Sequence, residues 1–281
     1  MPTYRRAHLL EQTISSYLQP EVSSLILVDD CSPDDTPAIA KRLVANDSRV
    51  IYLRNSVNSK QTFSKNRALE LVKTEFVYFG DDDSILSNGG IARLKRTMIS
   101  TKADIVGAAA LYMLDGEDLD SVETRRQITN HIEDIIYLPK LFFDFSKKSD
   151  PQIVEAPLCH ASFMAYTSAL KDVRFDLGYI GNCYREETDF LLKCRARGCR
   201  IVLDTGVTQI NLPPSQATGG ARGRGRLHYE WFALYNTVRF LGKNRNILKQ
   251  VDARCSCSFM LCSYALAKLR GLIQRVRVGF G

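Results

Sequence analysis

The sequence predicts an α/β fold around a mostly parallel sheet, and three observations carry that prediction. Short apolar runs of strand length alternate with amphipathic helical stretches from Leu9 to Leu111. Two of those runs end abruptly in consecutive carboxylates, as strands do when their ends carry a ligand site. Apolar residues make up 45% of the 281 and charged residues 25%, enough to bury one substantial core with material left for an extension.

The elements follow in order. Leu9, Leu10, Ile14, Tyr17 and Leu18 recur at helical spacing. Leu25-Ile26-Leu27-Val28 reads as a short buried strand ending in Asp29-Asp30. Ser32-Pro33-Asp34-Asp35 supplies a capping serine, a proline at the first helical position and acids in the first turn, predicting a helix through Ile39 and Leu43. Val50 to Leu53 is a strand, Ser64 to Val72 a helix, and Phe76 to Phe79 a strand that runs through Gly80 into Asp81-Asp82-Asp83. Ala103 to Leu111 is the next strand, whereas residues 115–155 show no period and are expected to form loops and short helices. Phe163 to Tyr166 follows as a strand, Tyr184 to Arg197 as a helix stopped by Gly198, and Arg200 to Leu203 as a strand. A basic glycine-rich loop from Gly219 to Arg226 leads to a helix over His228 to Gly242 and a last one from about Asp252.

The triple aspartate is the sharpest chemical signal. Three adjacent like charges repel one another, so a strand end that keeps them is suited to a cation, and hard oxygen ligands suit Mg²⁺ or Mn²⁺. A metal held against a phosphate-bearing substrate is the functional reading; a solvated turn with helix-capping aspartates is the plain one.

Net charge is +7, but residues 221–281 hold 12 Lys and Arg against Glu230 and Asp252, so the tail carries +10 and the rest −3. Such a tail suits nucleic acid, anionic lipid or an acidic polymer. The eight cysteines lack zinc-binding spacing and no leader-like segment opens the chain, so buried free thiols and a cytoplasmic location are expected. No run reaches the roughly 18 apolar residues of a membrane-spanning helix. Residues 255–277 instead project as an amphipathic helix with Phe259, Leu261, Cys262, Ala265, Leu266 and Leu269 on one half. That half either lies in a membrane interface, placing the chain at the inner face of the cell membrane, or packs on the catalytic domain.

Taken together, Pro2-Thr3-Tyr4-Arg5-Arg6, Val28-Asp29-Asp30-Cys31-Ser32-Pro33-Asp34-Asp35-Thr36, Ser64-Lys65-Asn66-Arg67-Ala68-Leu69, Asp81-Asp82-Asp83 and Arg185-Glu186-Glu187-Thr188-Asp189-Phe190 resemble family 2 glycosyltransferases, over about residues 2–240. The resemblance implies a single Rossmann-like nucleotide-diphospho-sugar transferase domain of the A type over residues 1–240. Its nucleotide-binding half would be about 1–100, its acceptor half about 101–240, and residues 241–281 a basic helical extension. It also implies an inverting reaction with Mn²⁺ or Mg²⁺. A sugar would move from a nucleotide-diphospho-sugar onto a saccharide or lipid-linked saccharide, in cell-surface polysaccharide synthesis, with nucleic acid not a partner.

By the same resemblance Pro2, Thr3 and Tyr4 lie beneath the nucleotide, Asp30 hydrogen-bonds the base and Lys65 sits near the nucleotide or diphosphate. Asp81 and Asp83 are the metal ligands, with Asp82 near the ribose. Glu187 is the catalytic base beside Glu186, Asp189 is its rival, and Arg222 closes on the diphosphate. Helix-favouring acids at a helix start are the plain reading of that acidic trio.

Two departures stand out. Asn211 falls where many relatives have a histidine, leaving His228 as a candidate third metal ligand. The chain also opens at Met1-Pro2, where relatives have four or five apolar residues, so the central strand is expected to be missing and the protein truncated or impaired. Two other functions compete. A sugar-phosphate nucleotidyltransferase would start with a glycine-rich phosphate loop, which Pro2 to Arg6 does not offer; a catalytically impaired saccharide- or nucleic-acid-binding relative would fit the missing strand, Asn211 and the arginine-glycine run.

Overall fold

The structure is a computed structural model describing residues 1–220 and 225–278. Two sheets form its frame. The first is wholly parallel: β1 (Pro2–Thr3), β2 (Leu25–Asp29) and β3 (Val50–Arg54), in that order. Around it lie α1 (Leu10–Tyr17), α2 (Thr36–Asn46) and α3 (Lys60–Leu69).

The second sheet is mixed. It takes β4 (Phe76–Phe79), β5 (Ser84–Leu86), then, after α4 (Gly90–Thr101), β6 (Ile105–Tyr112). Residues 119–155, expected as loops and short helices, hold α5 (Leu119–Thr124) and also the short strands β7 (Ile128–Thr129), β8 (Ile136–Tyr137), β9 (Phe142–Phe143), β10 (Lys148–Ser149) and β11 (Ile153–Glu155). β12 (Phe163–Tyr166), α6 (Glu186–Ala196), β13 (Ile201–Asn211), α7 (Arg226–Val251) and α8 (Cys257–Val278) complete the chain. The strand order is β11-β13-β6-β12-β4, with β5 added against the far end of β13. β13 and β6 run parallel, while β12 is antiparallel to both of its neighbours.

Two cores sandwich the larger sheet. One collects Phe79, Phe163, Phe190, Phe240 and Met260 under α6, α7 and α8, with the Phe175 and Phe190 rings stacked at 4.0 Å. The other packs Leu10 and Ile14 of α1 and Leu94 and Met98 of α4 against Val106 and Met164.

The structure moves several sequence boundaries. α2 begins at Thr36, with Pro37 in its first turn, because Ser32 and Asp34 are used in the preceding loop: Ser32 Oγ accepts from the Arg5 amide and Asp34 Oδ1 from the Thr36 hydroxyl. α3 starts at Lys60 rather than Ser64, and β13 runs on to Asn211. α7 passes unbroken through residue 240, and its Phe240, Leu241 and Leu248 share one core with Phe163 of β12 and Phe190 of α6. All eight cysteines are free, five of them buried.

β1 is the most unusual element. It has two residues, pairs with β2 alone, and the Met1 amino group donates to Ile26 O at 2.8 Å, continuing the ladder direction. Among the described residues no strand joins β2 to β4. A cavity of about 370 Å³ opens there, walled by Leu25 and Ile26 on one side and Phe76 to Phe79 on the other. The central strand that the sequence led one to expect missing is present as the two-residue β1, which covers the Val28–Asp29 end of β2, and the space lies beyond it toward Leu25.

Candidate active site

The carboxyl ends of β1, β2 and β4 and the start of α6 converge on a second cavity, of about 400 Å³. Topology puts them there. β4 is followed at once by β5, which peels away to pair with β13, so Asp81, Asp82 and Asp83 occupy the turn between strands that diverge. Gly80 permits that turn, because a Cβ there would stand 2.7 Å from the Tyr17 ring.

Pro2, Thr3, Tyr4, Asp30, Asp81, Asp82, Asp83, Glu187, Asn211 and His228 all line this cleft. So do residues that the sequence did not single out, notably Arg6, Gln61, His160, Arg185 and Tyr229. Arg222 lies outside the described residues.

Arg6 is the central omission. Its buried guanidinium reaches Asp82 Oδ1 at 3.3 Å and Asp83 Oδ2 at 2.9 Å, and also donates to Thr218 O. It therefore ties the aspartate turn to the segment at Thr218 to Gly220. Its charge only partly offsets the cluster. Burial, outweighing Lys65 and reinforced by Asp83, pushes Asp81 up to about 6; burial likewise lifts Asp82 to about 6 against the pull of Arg6. An arginine one residue after a Pro-Thr-Tyr-Arg run, 77 residues from Asp83, carries no local signal of this pairing.

At the other wall α6 opens on Arg185 with φ +75°, and the strained turn aims its first residues in different directions. Glu186 points inward and is fully enclosed, whereas Glu187 faces the cleft. Lys65 Nζ bridges them, 2.7 Å from Glu186 Oε1 and 2.6 Å from Glu187 Oε1, and Gln61 adds a bond to Glu186 at 2.9 Å. One ammonium thus serves two carboxyls. Burial and the neighbouring Glu187 drive Glu186 well above the ordinary carboxylate range, which favours its protonated form. Burial also opposes ionisation of Glu187, but the Lys65 charge and the hydrogen bonds from its neighbours outweigh it and hold Glu187 at about 2. Lys65 is therefore committed to the glutamate pair, with Asp81 near enough to raise it further.

Asp189 faces the opposite side of α6. It is fully buried and bound to Lys193 at 2.8 Å, Lys243 at 3.0 Å and Asn244 at 2.8 Å, which fastens α6 to α7. It does not line the cleft, so the structure separates it from Glu187, with which the sequence paired it as a rival base. Asp30 is at the cleft floor, where its carboxylate already accepts from Asn55 Nδ2 and the Ser59 and Lys60 amides at 2.7 to 2.8 Å. Asn211 donates to Leu111 O, and the His228 ring packs on Phe232.

His160 stands between the two walls, with Ser162 Oγ 3.0 Å from Nδ1 and Tyr112 OH 3.4 Å from Nε2. Burial lowers it to about 4, so it is neutral at pH 7. Arg185 lies over the rings of Phe143, Tyr184 and Tyr264, the last supplied by α8, at 4.7 to 5.7 Å. The C-terminal helix thereby supports a cleft residue directly.

The aspartate turn offers hard oxygens and holds more negative charge than Arg6 offsets, but among the described residues no group of three or more His, Cys, Asp or Glu is arranged to enclose a metal. That donor set fits an ion held by one or two carboxylates and completed by phosphate and water, the usual manner for Mg²⁺ beside a phosphorylated substrate.

The sequence profile of glycosyl transferase family 2 matches residues 1–170. Over 111 residues the chain is 35% identical to a GalNAc(5)-diNAcBac-PP-undecaprenol beta-1,3-glucosyltransferase of Campylobacter jejuni, covering 38% of this chain and 36% of that protein. It is 30% identical over 117 residues to the putative colanic acid biosynthesis glycosyl transferase WcaA of Escherichia coli K12, covering 41% and 40%. The chain thus spans less than half the length of these curated relatives. Among solved structures, the mannosyltransferase PcManGT from Pyrobaculum calidifontis, in complex with GDP-Man and Mn²⁺, aligns with TM-score 0.59 at 16% identity, over 97% of this chain and 73% of that one. Staphylococcus aureus TarS 1-349, in complex with UDP-GlcNAc, aligns with TM-score 0.60 at 16% identity, over 90% and 70%. At such identity the likeness establishes the fold.

Proposed function

Since the chain belongs to glycosyl transferase family 2, we propose that it is an inverting transferase moving a sugar from a nucleotide-diphosphate donor to a saccharide or lipid-linked saccharide. One observation carries the reading: a single cleft is lined on one wall by the Asp81 to Asp83 turn and on the other by an ionised Glu187. Inversion needs a leaving-group side and a base side facing each other across the sugar, and this cleft has both.

Glu187 is the base. Because Lys65 keeps it ionised, it is ready to accept the acceptor hydroxyl proton at Oε as that oxygen attacks the anomeric carbon. Its low proton affinity in the free protein limits its strength, so its task is to take the proton as the hydroxyl acidifies along the reaction. Glu186, fully enclosed, fixes Lys65 from behind. On the opposite wall Asp81 and Asp83 would hold a divalent cation, which when bound supplies positive charge to the departing diphosphate. Arg6, already between Asp82 and Asp83, adds a second cation on that side, and Pro2 to Tyr4 with Asp30 form the floor beneath the nucleotide.

A thermal-shift screen of nucleotide sugars tests this, because a donor that binds the folded state raises its melting temperature by mass action. One nucleotide-diphospho-sugar is expected to stabilise the protein with Mn²⁺ present, and Asp83→Asn to abolish that stabilisation while leaving the unliganded protein folded. If no nucleotide sugar shifts the wild-type protein, or Asp83→Asn responds equally well, the assignment is wrong.

A further inference from the structure

α7 is apolar on two sides, and only one side is covered. Phe240, Leu241 and Leu248 face the core, yet Leu227, Trp231, Leu234 and Val238 are all exposed, Leu227 to 89% and Trp231 to 66%. On a helix turning about 100° per residue these four lie within about 60° of Trp231, and so do Arg245 and Lys249 further along. Both basic residues are exposed. The outward line of α7 is therefore apolar and aromatic for its first three turns and basic in its last two. Solvated helix faces do not hold such a stripe without a use, since contiguous exposed apolar side chains mark a contact surface.

α8 repeats the pattern independently. Met260 and Tyr264 face the core while Phe259, Leu266 and Leu269 are exposed, about half of each side chain's surface remaining open. Much of the apolar half that the sequence assigned to this helix thus faces outward; Leu272, Ile273 and Val276 have side chains outside the described set. No described helix is long and apolar enough to cross a bilayer, which fits helices that lie along a surface.

We propose that the outward face of α7, with that of α8, docks on a membrane interface bearing anionic headgroups. Charge complementarity selects this occupant: residues 221–281 carry +10 while the remaining chain carries −3, so an anionic surface is drawn to the part of the chain that forms these helices. Trp231 and its apolar neighbours enter the headgroup boundary, and Arg245 and Lys249 meet phosphates. The stripe begins where α7 supplies His228 and Tyr229 to the cleft, so docking brings the cleft mouth to the lipid surface. This purpose rests on the transferase reading; the docking itself is measured without it.

The test is co-sedimentation of the full chain with vesicles of phosphatidylcholine alone and of phosphatidylcholine mixed with phosphatidylglycerol. Point variants are used because truncating α8 would remove Tyr264 from Arg185. Binding is expected to the mixed vesicles only, to fall with added salt, and to weaken about tenfold or more in Arg245→Gln/Lys249→Gln, given a contribution of about fivefold per basic residue. Trp231→Ser/Val238→Ser should weaken it similarly, with unchanged melting temperature and an unchanged thermal response to nucleotide sugar. Equal binding by wild type and both double variants overturns the proposal, as does no binding at all. A shift from dimer to monomer on Trp231→Ser/Val238→Ser, without vesicle binding by the wild type, overturns it in favour of a second copy on this face. Loss of the nucleotide response alone would count against the transferase reading and leave the vesicle result standing.

Discussion

Replacing Lys65 by methionine isolates the device on which the proposed base depends. Methionine keeps most of the length and apolar stem but leaves Glu186 and Glu187 side by side without a counter-charge. Lys65 is 4% exposed and Glu186 fully enclosed, so the screening that makes surface pairs cheap is absent. Removing one partner of a buried pair costs about 3–5 kcal/mol. The displacement of Glu187 from 4.5 to about 2 corresponds independently to about 3 kcal/mol.

The pH dependence follows from the directions. Glu187, depressed when folded, contributes stability above its unfolded value of 4.5, and that contribution is lost as pH falls toward 2. Glu186, raised, opposes folding above 4.5, and Lys65, raised by Glu186, Glu187 and Asp81 against its burial, contributes below 10.5. At pH 7 all three act, so Lys65→Met should lose about 3–5 kcal/mol in urea unfolding; near pH 3 the orphaned carboxyls are protonated and the deficit should shrink. In the same variant the acid limb of kcat/KM should move upward by more than about one pH unit, because Glu187 then ionises beside Glu186 without help. Glu186→Gln is the control. It keeps the shape and the acceptor for Lys65 while removing the titrating group, and should destabilise less than Lys65→Met. A Lys65→Met protein as stable as wild type at pH 7, with the same pH profile, would refute this account of the pair.

Two other outcomes follow from the geometry. Glu187→Gln should keep donor binding and lose transfer, because the amide preserves shape without accepting a proton, whereas Asp189→Asn should lower unfolding free energy through Lys193, Lys243 and Asn244 while its folded fraction stays active; a dead, stable Asp189→Asn beside an active Glu187→Gln would reverse the assignment. Adding four apolar residues ahead of Pro2 should extend β1 into the 370 Å³ opening and raise unfolding free energy by more than about 2 kcal/mol through newly buried side chains; an unchanged midpoint in urea would show that the opening does not accept a strand.

Which parts were legible in the sequence depends on how far apart the cooperating residues lie. Leu25 to Val28 and Phe76 to Phe79 were readable because a buried strand leaves a compact apolar run, and the aspartates ending them mark the site side of the sheet. Helix starts were less so: Ser32-Pro33-Asp34-Asp35 has every capping signal, yet its side chains close a loop against Arg5 and Thr36 instead. Ser84 to Leu86 of β5 is too short for a period, whereas α4 carries a legible one in Ile91, Leu94 and Met98. Within the site, the positions of Asp81, Asp83 and Glu187 were visible, but their chemistry was not. Arg6 finds Asp83 across 77 residues and Lys65 finds Glu186 across 121, and neither arginine nor lysine advertises such a partner locally. Burial and Lys65 set the two glutamates apart in proton affinity. A motif can therefore name the acids of this cleft, but only the fold shows Glu186 pushed toward its protonated form, Glu187 held down by Lys65, and Asp189, two residues on, fastened into the seam between α6 and α7.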